Sequence, residues 1–379
     1  MEISRIWLTD FRSYETFELE LASGLTAVVG PNGVGKTNLL EALGLLATLK
    51  SFRGAPVDSV VRRGADRAVV RAEGIRDDRD TLIELELAKG RTRAQVNRQR
   101  LKRSRDLLGA VRVTVFAPDD LSLVKGGPSG RREYLDDLLV ALDPTADALI
   151  SDTERILKQR NALLRQAHGR LDEGAAMTLD VWDSKLAQAG QALTERRERL
   201  VGELLPMTVD SYAVLADVPT PLDLQYQRSW PGADLGEALT AGRDDDVRRG
   251  VTLLGPHRDE LGLTLDGLAA RTEASQGEQR TFALALRLSG HRLVTDRLGE
   301  PPLLLLDDVL SELDPDRARA LLEHVPKGQV VITSASPLPP AARADQLLTM
   351  DGSGAVTGER GGQGEELGGD GEGLGGDGG

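Results

Sequence analysis

The sequence predicts an α/β domain interrupted by a mainly helical insertion. Three observations carry that reading: strand patterns that run into a Gly-rich loop and a helix at the start, a helical middle, and an apolar strand ending in two carboxylates near the end. At 379 residues the chain is too long for one ordinary domain and fits two, or one with a large insertion.

Taken in order, residues 3–8 and 16–21 alternate apolar and polar side chains, the period of a half-buried strand. Residues 25–29 are a short continuous apolar run of the fully buried kind. The run ends in Gly30-Pro31-Asn32-Gly33-Val34-Gly35, after which Leu39, Leu40, Leu43, Leu46 and Ala47 recur at helical spacing. Residues 68–113 hold further alternating segments, a hairpin-rich lobe. Residues 131–205 are helical, most clearly over 152–164 and 182–205, with many Arg–Glu neighbours. Pro219 and Pro221 open a more extended stretch, and Asp244-Asp245-Asp246 marks an exposed turn. Residues 252–255 and 261–265 read as strands, 278–298 as a helix, and 303–306 and 329–332 as strands.

Composition removes several classes. No cysteine is present, which excludes disulfides, thiol catalysis and cysteine-held zinc or iron–sulfur clusters. The histidines (His168, His257, His291, His324) show no paired spacing, which argues against a histidine-rich metal site. No window approaches 18 uninterrupted apolar residues, and the charged N-terminus resembles neither a signal peptide nor an anchor. A cytoplasmic protein without a membrane partner is expected.

The net charge of −13 is on its face unfavourable for nucleic acid, but it is unevenly spread. Residues 352–379 contribute −5 and 14 glycines, leaving −8 on the other 351 residues; such a tail cannot offset its ordering entropy and reads as disordered. Residues 91–105 carry seven basic side chains and no acid: Arg91, Arg93, Arg98, Arg100, Lys102, Arg103 and Arg105.

Gly30 to Thr37 matches GxxxxGK[ST] in full. Glycines let consecutive backbone N–H groups curl around phosphates without a Cβ in the way. A helix starting at Lys36 adds its positive end, Lys36 supplies a point charge to the β- and γ-phosphates, and the Thr37 hydroxyl suits Mg²⁺. Gly30, Pro31, Asn32, Gly33, Val34, Gly35, Lys36 and Thr37 are therefore the candidate ATP-binding residues.

Residues 303–306 followed by Asp307 and Asp308 form the Walker-B arrangement. Asp307 would bind Mg²⁺, directly or through water, and Asp308 would sit by the γ-phosphate as general base or water-orienting group. Ser275-Gln276-Gly277-Glu278-Gln279 opens a helix and resembles an ABC signature, with Gln276 in place of the first glycine. Ser275 and Gly277 at a helix N-terminus suit an anion; a plain capping box of Ser275 with Glu278 is the structural alternative. Ser311-Glu312-Leu313-Asp314 follows at the spacing of a D-loop. Lys36, Asp308, Ser275 and Gly277 make up the catalytic candidates.

Together with SFRG at 51–54, FAPDDLSLVKGGPSGRREYLD at 116–136, LLGPHRDEL at 253–261 and LLLDDVLSELD at 304–314, these segments resemble the RecF family, bacterial DNA replication and repair ATPases of the ABC/SMC-like superfamily. The resemblance spans residues 1–350. It implies an ABC-type P-loop ATPase head with an inserted, mainly helical second lobe and a disordered Gly-rich C-terminal tail. The expected division is 1–125 (P-loop and β-rich lobe), 126–250 (helical lobe), 251–351 (signature, Walker B and D-loop) and 352–379 (tail). It further implies ATP and Mg²⁺ as cofactors, an ATP-dependent homodimer on single-stranded, duplex or gapped DNA, weak DNA-stimulated hydrolysis, and work with RecO and RecR in RecA loading and the SOS response. Departures from the wider ABC pattern stand out. Asp308 replaces the usual Glu, no Q-loop glutamine is clear although Asp119 or Asp120 falls in that region, and no histidine follows 330–334.

The 91–105 stretch is the candidate phosphate-backbone contact, with Arg62, Arg63, Arg131 and Arg132 as lesser ones; a solvated hairpin face is the alternative. Aromatics at 3% disfavour a base-stacking groove. His257 and Arg258 fit either a DNA or nucleotide contact or a satisfied turn. The competing function is an ABC-type ATPase subunit serving a protein or membrane partner without binding DNA.

Overall fold

The computed structural model describes residues 1–339, 342–351 and 356–360. The chain opens with the hairpin β1 (Glu2–Phe11) and β2 (Tyr14–Glu20), then β3 (Leu25–Val29), which feeds the Gly-rich loop and helix α1 (Lys36–Thr48). β4 (Arg67–Arg76), β5 (Arg79–Ala88), β6 (Arg91–Val96) and the short β7 (Gln99–Arg100) follow, then β8 (Val113–Phe116). The helical stretch comprises α2 (Leu121–Lys125), α3 (Pro128–Leu142), α4 (Ala146–Gln166) and α5 (Glu173–Ala216). Next come β9 (Leu222–Gln227), α6 (Leu235–Ala241), α7 (Arg243–Arg249), β10 (Glu260–Leu265), β11 (Leu268–Ala269) and α8 (Ala270–Glu273). The last described elements are α9 (Gln276–Leu298), β12 (Leu303–Asp307), α10 (Pro315–Glu323), β13 (Val330–Ser334), β14 (Gln346–Met350) and β15 (Val356–Arg360).

Two six-stranded sheets face each other across α1. One is antiparallel, ordered β2-β1-β4-β5-β6-β7. The other, β15-β14-β3-β13-β12-β8, is parallel apart from β15. Its central strands are buried on both faces, as a covered parallel sheet requires. Val28, Leu303, Leu305 and Val331 join Leu39, Leu40, Leu43 and Leu46 of α1 and the inner face of the antiparallel sheet in one core. Ala27, Leu304, Leu306 and Ile332 point the other way, into a core built with Phe282 to Leu286 of α9 and with α3 and α5.

The register places the chemistry. Asp307 pairs with Thr333 across β12 and β13, and Ser334 pairs with Val29, the last residue of β3 before the Gly-rich loop. Three strand ends thus meet at the carboxyl edge of the parallel sheet, where α/β folds bind ligands.

The helical lobe hangs from α5. Its first part packs antiparallel on α4 through Ile156 and Leu186, and through Leu164 and Leu179, each in a small core of its own. Its second part reaches back to α9, where Tyr212 meets Phe282 edge-on at 6.0 Å. The expectation of helix over 182–205 falls short: α5 continues through Pro206 to Ala216. Burial of Leu204, Thr208, Tyr212 and Leu215 outweighs the amide bond lost at the proline.

Other differences have local causes. The acids at 244–246 form the first turn of α7 rather than an exposed turn, because carboxylates suit a helix N-terminus, and Asp246 is buried. Residues 252–255 are not a strand: side chains take their backbone groups, with the Thr252 amide donating to Asn161 and the Leu253 amide to Asp246. β9 pairs with β10, so a three-stranded sheet straddles the expected boundary at 250. Of the tail expected to be disordered, residues 356–360 form β15 on the free edge of β14; residues 352–355 and 361–379 lie outside the described residues.

Candidate nucleotide site

The loop from Gly30 to Gly35 is shaped by its glycines. Gly33 takes φ 87° and Gly35 φ 114°, the left-handed region that side chains avoid. A Cβ on Gly35 would lie 2.8 Å from the Tyr14 hydroxyl, which itself donates to the Gly35 carbonyl at 2.9 Å. A Cβ on Gly33 would meet nothing, so that rim of the loop is open to a ligand. Lys36 is buried, with its ammonium on the carbonyls of Gly30 (2.7 Å) and Pro31 (2.9 Å). Burial lowers its pKa, opposed by Asp308 and Asp307.

Thr37, the second residue of α1, donates its hydroxyl proton to Asp307 at 3.0 Å. Burial pushes the Asp307 carboxyl above the ordinary carboxylate range, while the Thr333 and Thr37 hydroxyls pull it back. Asp308 follows with φ 48°, its amide donating to Thr333 at 3.0 Å and its carboxylate accepting from the Ala335 amide at 3.3 Å. The loop carbonyls under an ammonium, a hydroxyl beside a carboxylate, and an open glycine rim fit a magnesium nucleotide. Among the described residues no group of three or more His, Cys, Asp or Glu could hold a metal unaided. Mg²⁺ usually takes one or two protein ligands and completes its shell with phosphate and water, which Thr37 and Asp307 suit.

A second tier of side chains, not assigned from the sequence, braces this loop. Glu41 of α1 has no exposed surface and accepts two bonds from Arg12 (2.8 and 2.5 Å) and one from Ser51. Asn38 donates to Ser13 at 2.9 Å, and Arg53 of the SFRG segment reaches Asn38 at 3.4 Å. The β1–β2 turn is thereby pinned to the phosphate loop. The one sequence signal was Glu41, a charge in the middle of an apolar helix pattern.

The signature lies elsewhere. Ser275 caps α9 in a reciprocal box with Glu278, the structural alternative read from the sequence, so it has a role within its own chain. A Cβ on Gly277 would come within 2.7 Å of Arg317, whose guanidinium pairs with Asp314 at 2.8 Å; the glycine makes room for the D-loop helix α10. Among the described residues no hydrogen bond or ion pair joins residues 275–279 to residues 30–37, Asp307 or Asp308.

The basic candidates divide. Arg93 pairs with Glu86 at 2.9 Å, Arg103 with Asp106 at 3.0 Å, and Arg105 with Asp147 at 3.4 Å. Arg91, Arg98, Arg100 and Lys102 are exposed on and after β6 and β7, with no hydrogen-bonded or ion-paired partner among the described residues. Arg131 is withdrawn as a DNA candidate, being buried on Glu260 (2.8 Å) and the carbonyls of Leu123 and Gly126. Arg132 donates to the Asp259 carbonyl and Arg62 to Asp10, while Arg63 is exposed. His257 is a turn residue: its Nε2 faces the Thr252 carbonyl at 3.1 Å, and burial drops its pKa to about 4, so it is neutral at pH 7. Asp120 is held by Arg287 at 2.5 Å and caps Ala117, leaving Asp119 exposed.

The chain is similar to known proteins over most of its length. The family described as RecF/RecN/SMC N terminal domain matches residues 2–350. A DNA replication and repair protein RecF from Streptomyces avermitilis is 46% identical over 350 residues, covering 89% of this chain and 94% of that protein. One from Frankia alni is 45% identical over 355 residues, covering 88% and 93%. A solved structure described as the recombination mediator protein RecF with ATP in the RecFOR pathway superposes with a TM-score of 0.86 at 28% identity, covering 94% of this chain and 97% of that one. An Smc head bound to the C-winged helix domain of ScpA shares the fold, with a TM-score of 0.58 at 17% identity.

Proposed function

The chain belongs to the RecF family of DNA replication and repair proteins, and from that premise we propose that it is an ATP-dependent DNA clamp of recombinational repair. In this reading it dimerises on single-stranded or gapped DNA when ATP is bound, and works with RecO and RecR to promote RecA loading and the SOS response.

The observation that carries the proposal is the separation of the two half-sites. The Gly-rich loop, Asp307 and Asp308 stand together at one sheet edge, while Gly277 stands against Arg317 of α10, and among the described residues no hydrogen bond or ion pair joins Ser275 or Gly277 to that edge. One copy therefore offers a cradle without a lid, and a second copy supplies it. Gly30 to Thr37 would hold the triphosphate through backbone amides, with Lys36 moving from the Gly30 and Pro31 carbonyls to the β- and γ-phosphates. Thr37 and Asp307 would hold Mg²⁺, which neutralises phosphate charge when bound. Asp308 would orient the attacking water or accept its proton. Its shorter side chain and the absence of a switch histidine fit slow turnover. Arg91, Arg98, Arg100 and Lys102 would track the DNA backbone without reading sequence. Among the described residues no helix is long and apolar enough to cross a membrane.

A fluorescent ATP analogue tests the cradle. Wild type is expected to bind it in the presence of Mg²⁺ and Lys36→Met to bind at least tenfold more weakly. Equal affinities would contradict the assignment.

A further inference from the structure

The end of β13 carries a side chain that neither the motif nor the fold assigns. Thr333 has no exposed surface, and its hydroxyl stands between the two Walker-B acids. It donates to Asp307 Oδ1 at 2.8 Å and accepts the Asp308 amide at 3.0 Å. A hydroxyl has one proton and two lone pairs, so this single group can serve both neighbours at once. The β12–β13 register sets it there, opposite Asp307.

Each contact has a consequence. Asp307 Oδ1 receives two donors, Thr37 and Thr333, which leaves Oδ2 with no hydrogen-bond partner among the described residues. Thr37 is itself a proposed metal ligand, so Thr333 is the partner of Asp307 that metal binding would not recruit. The Asp308 amide, in turn, is held while its backbone sits at φ 48°, an unfavoured conformation for a non-glycine residue that persists only where neighbours fix it. The Asp308 carboxylate is thereby turned toward the Ala335 amide. The segment where a switch histidine is absent instead provides a buried hydroxyl.

We propose that Thr333 is a positioning residue, fixing the rotamer of Asp307 for the metal and the backbone of Asp308 for the water. This rests on the magnesium-nucleotide reading of the site. Residues that orient a metal ligand typically account for 10- to 100-fold in metal affinity or activity.

Two near-isosteric variants separate the hydroxyl from the methyl group. Thr333→Val keeps the shape and removes the hydroxyl, whereas Thr333→Ser keeps the hydroxyl and removes the methyl. The full chain is titrated with Mn²⁺ in the presence of mant-ATP, with bound metal read by electron paramagnetic resonance, and separately with mant-ATP in EDTA. Thr333→Val is expected to raise the half-saturating Mn²⁺ at least tenfold, Thr333→Ser to stay within threefold of wild type, and all three to bind mant-ATP alike in EDTA. If Thr333→Val titrates like wild type, or Thr333→Ser is the more impaired of the two, Thr333 only packs and the proposal fails. If Thr333→Val does not fold, the Thr333→Ser result still decides, since an impaired but folded serine variant overturns a role for the hydroxyl. Wild type that binds no mant-ATP at all removes the underlying nucleotide reading, a separate and recognisable failure.

Discussion

Lys36 rests on the carbonyls of Gly30 and Pro31, which satisfy a buried ammonium. The loop itself was legible in the sequence because Gly30 to Thr37 is one contiguous motif whose residue types serve one chemistry, whereas the Lys36 contact and the Thr37–Asp307 pair needed the structure. Thr333, Arg12 and Ser13 were not legible, since each meets the site only through the register of a sheet or the fold of a turn. Ser275 was read either as an anion site or as a helix cap, and the structure shows the cap on α9 with the residue still exposed. At the same scale, His291 is 2% exposed, with Nδ1 on the Thr114 hydroxyl at 3.2 Å and Nε2 unpartnered, and burial lowers its pKa to about 4. The unfolded chain takes up a proton near pH 6.5 and the folded one does not, so the stability from keeping His291 neutral is present above pH 6.5 and lost as pH falls toward 4. Between pH 7 and 5 this residue is expected to account for about 2 kcal/mol of lost stability. Urea melts of wild type and His291→Gln check it; parallel pH dependences would contradict it.

Among the elements, α5 joins the lobe to the head, and its hold on α4 depends on charge as well as apolar packing. Arg160 has no exposed surface and donates to Asp183 at 2.6 Å, to Asp246 at 2.7 Å and to Thr252 at 2.8 Å, tying α4 to α5, α7 and the segment after it. Removing one member of such a group leaves carboxylates buried without their partner, so Arg160→Met is expected to cost about 3–5 kcal/mol. A loss below about 1 kcal/mol in equilibrium urea unfolding would show that water or Arg243 takes its place. The middles of α4 and α5 were legible from periodicity, and α9, β12 and β13 were also legible, whereas α6 and α7 were not. The 244–246 acids were misread although they suit a helix start, and the 252–255 segment was misread because Arg160 and Asn161, some 90 residues away, hold Asp246 and Thr252.

At the scale of the molecule, the antiparallel sheet, α1, the parallel sheet and the α5–α9 layer stack so that, among the described residues, no hydrogen bond or ion pair joins residues 275–279 to the Gly-rich loop or the two acids after β12. The order of the motifs disclosed the architecture; the separation of the half-sites needed the structure. The cations at Arg91, Arg98, Arg100 and Lys102, unpaired among the described residues, also emerged only once Glu86, Asp106 and Asp147 were seen to engage their neighbours. The most direct test is sedimentation velocity of the full chain with gapped DNA, with and without ATP and Mg²⁺, beside Lys36→Met and Ser275→Asp. The aspartate keeps the α9 cap but sets a negative charge where a partner's phosphate would arrive. Wild type is expected to form an ATP-dependent dimer on DNA and both variants to remain monomeric. A wild type that binds ATP yet stays monomeric and ignores DNA at low salt would contradict the clamp and favour an ATPase subunit serving another partner.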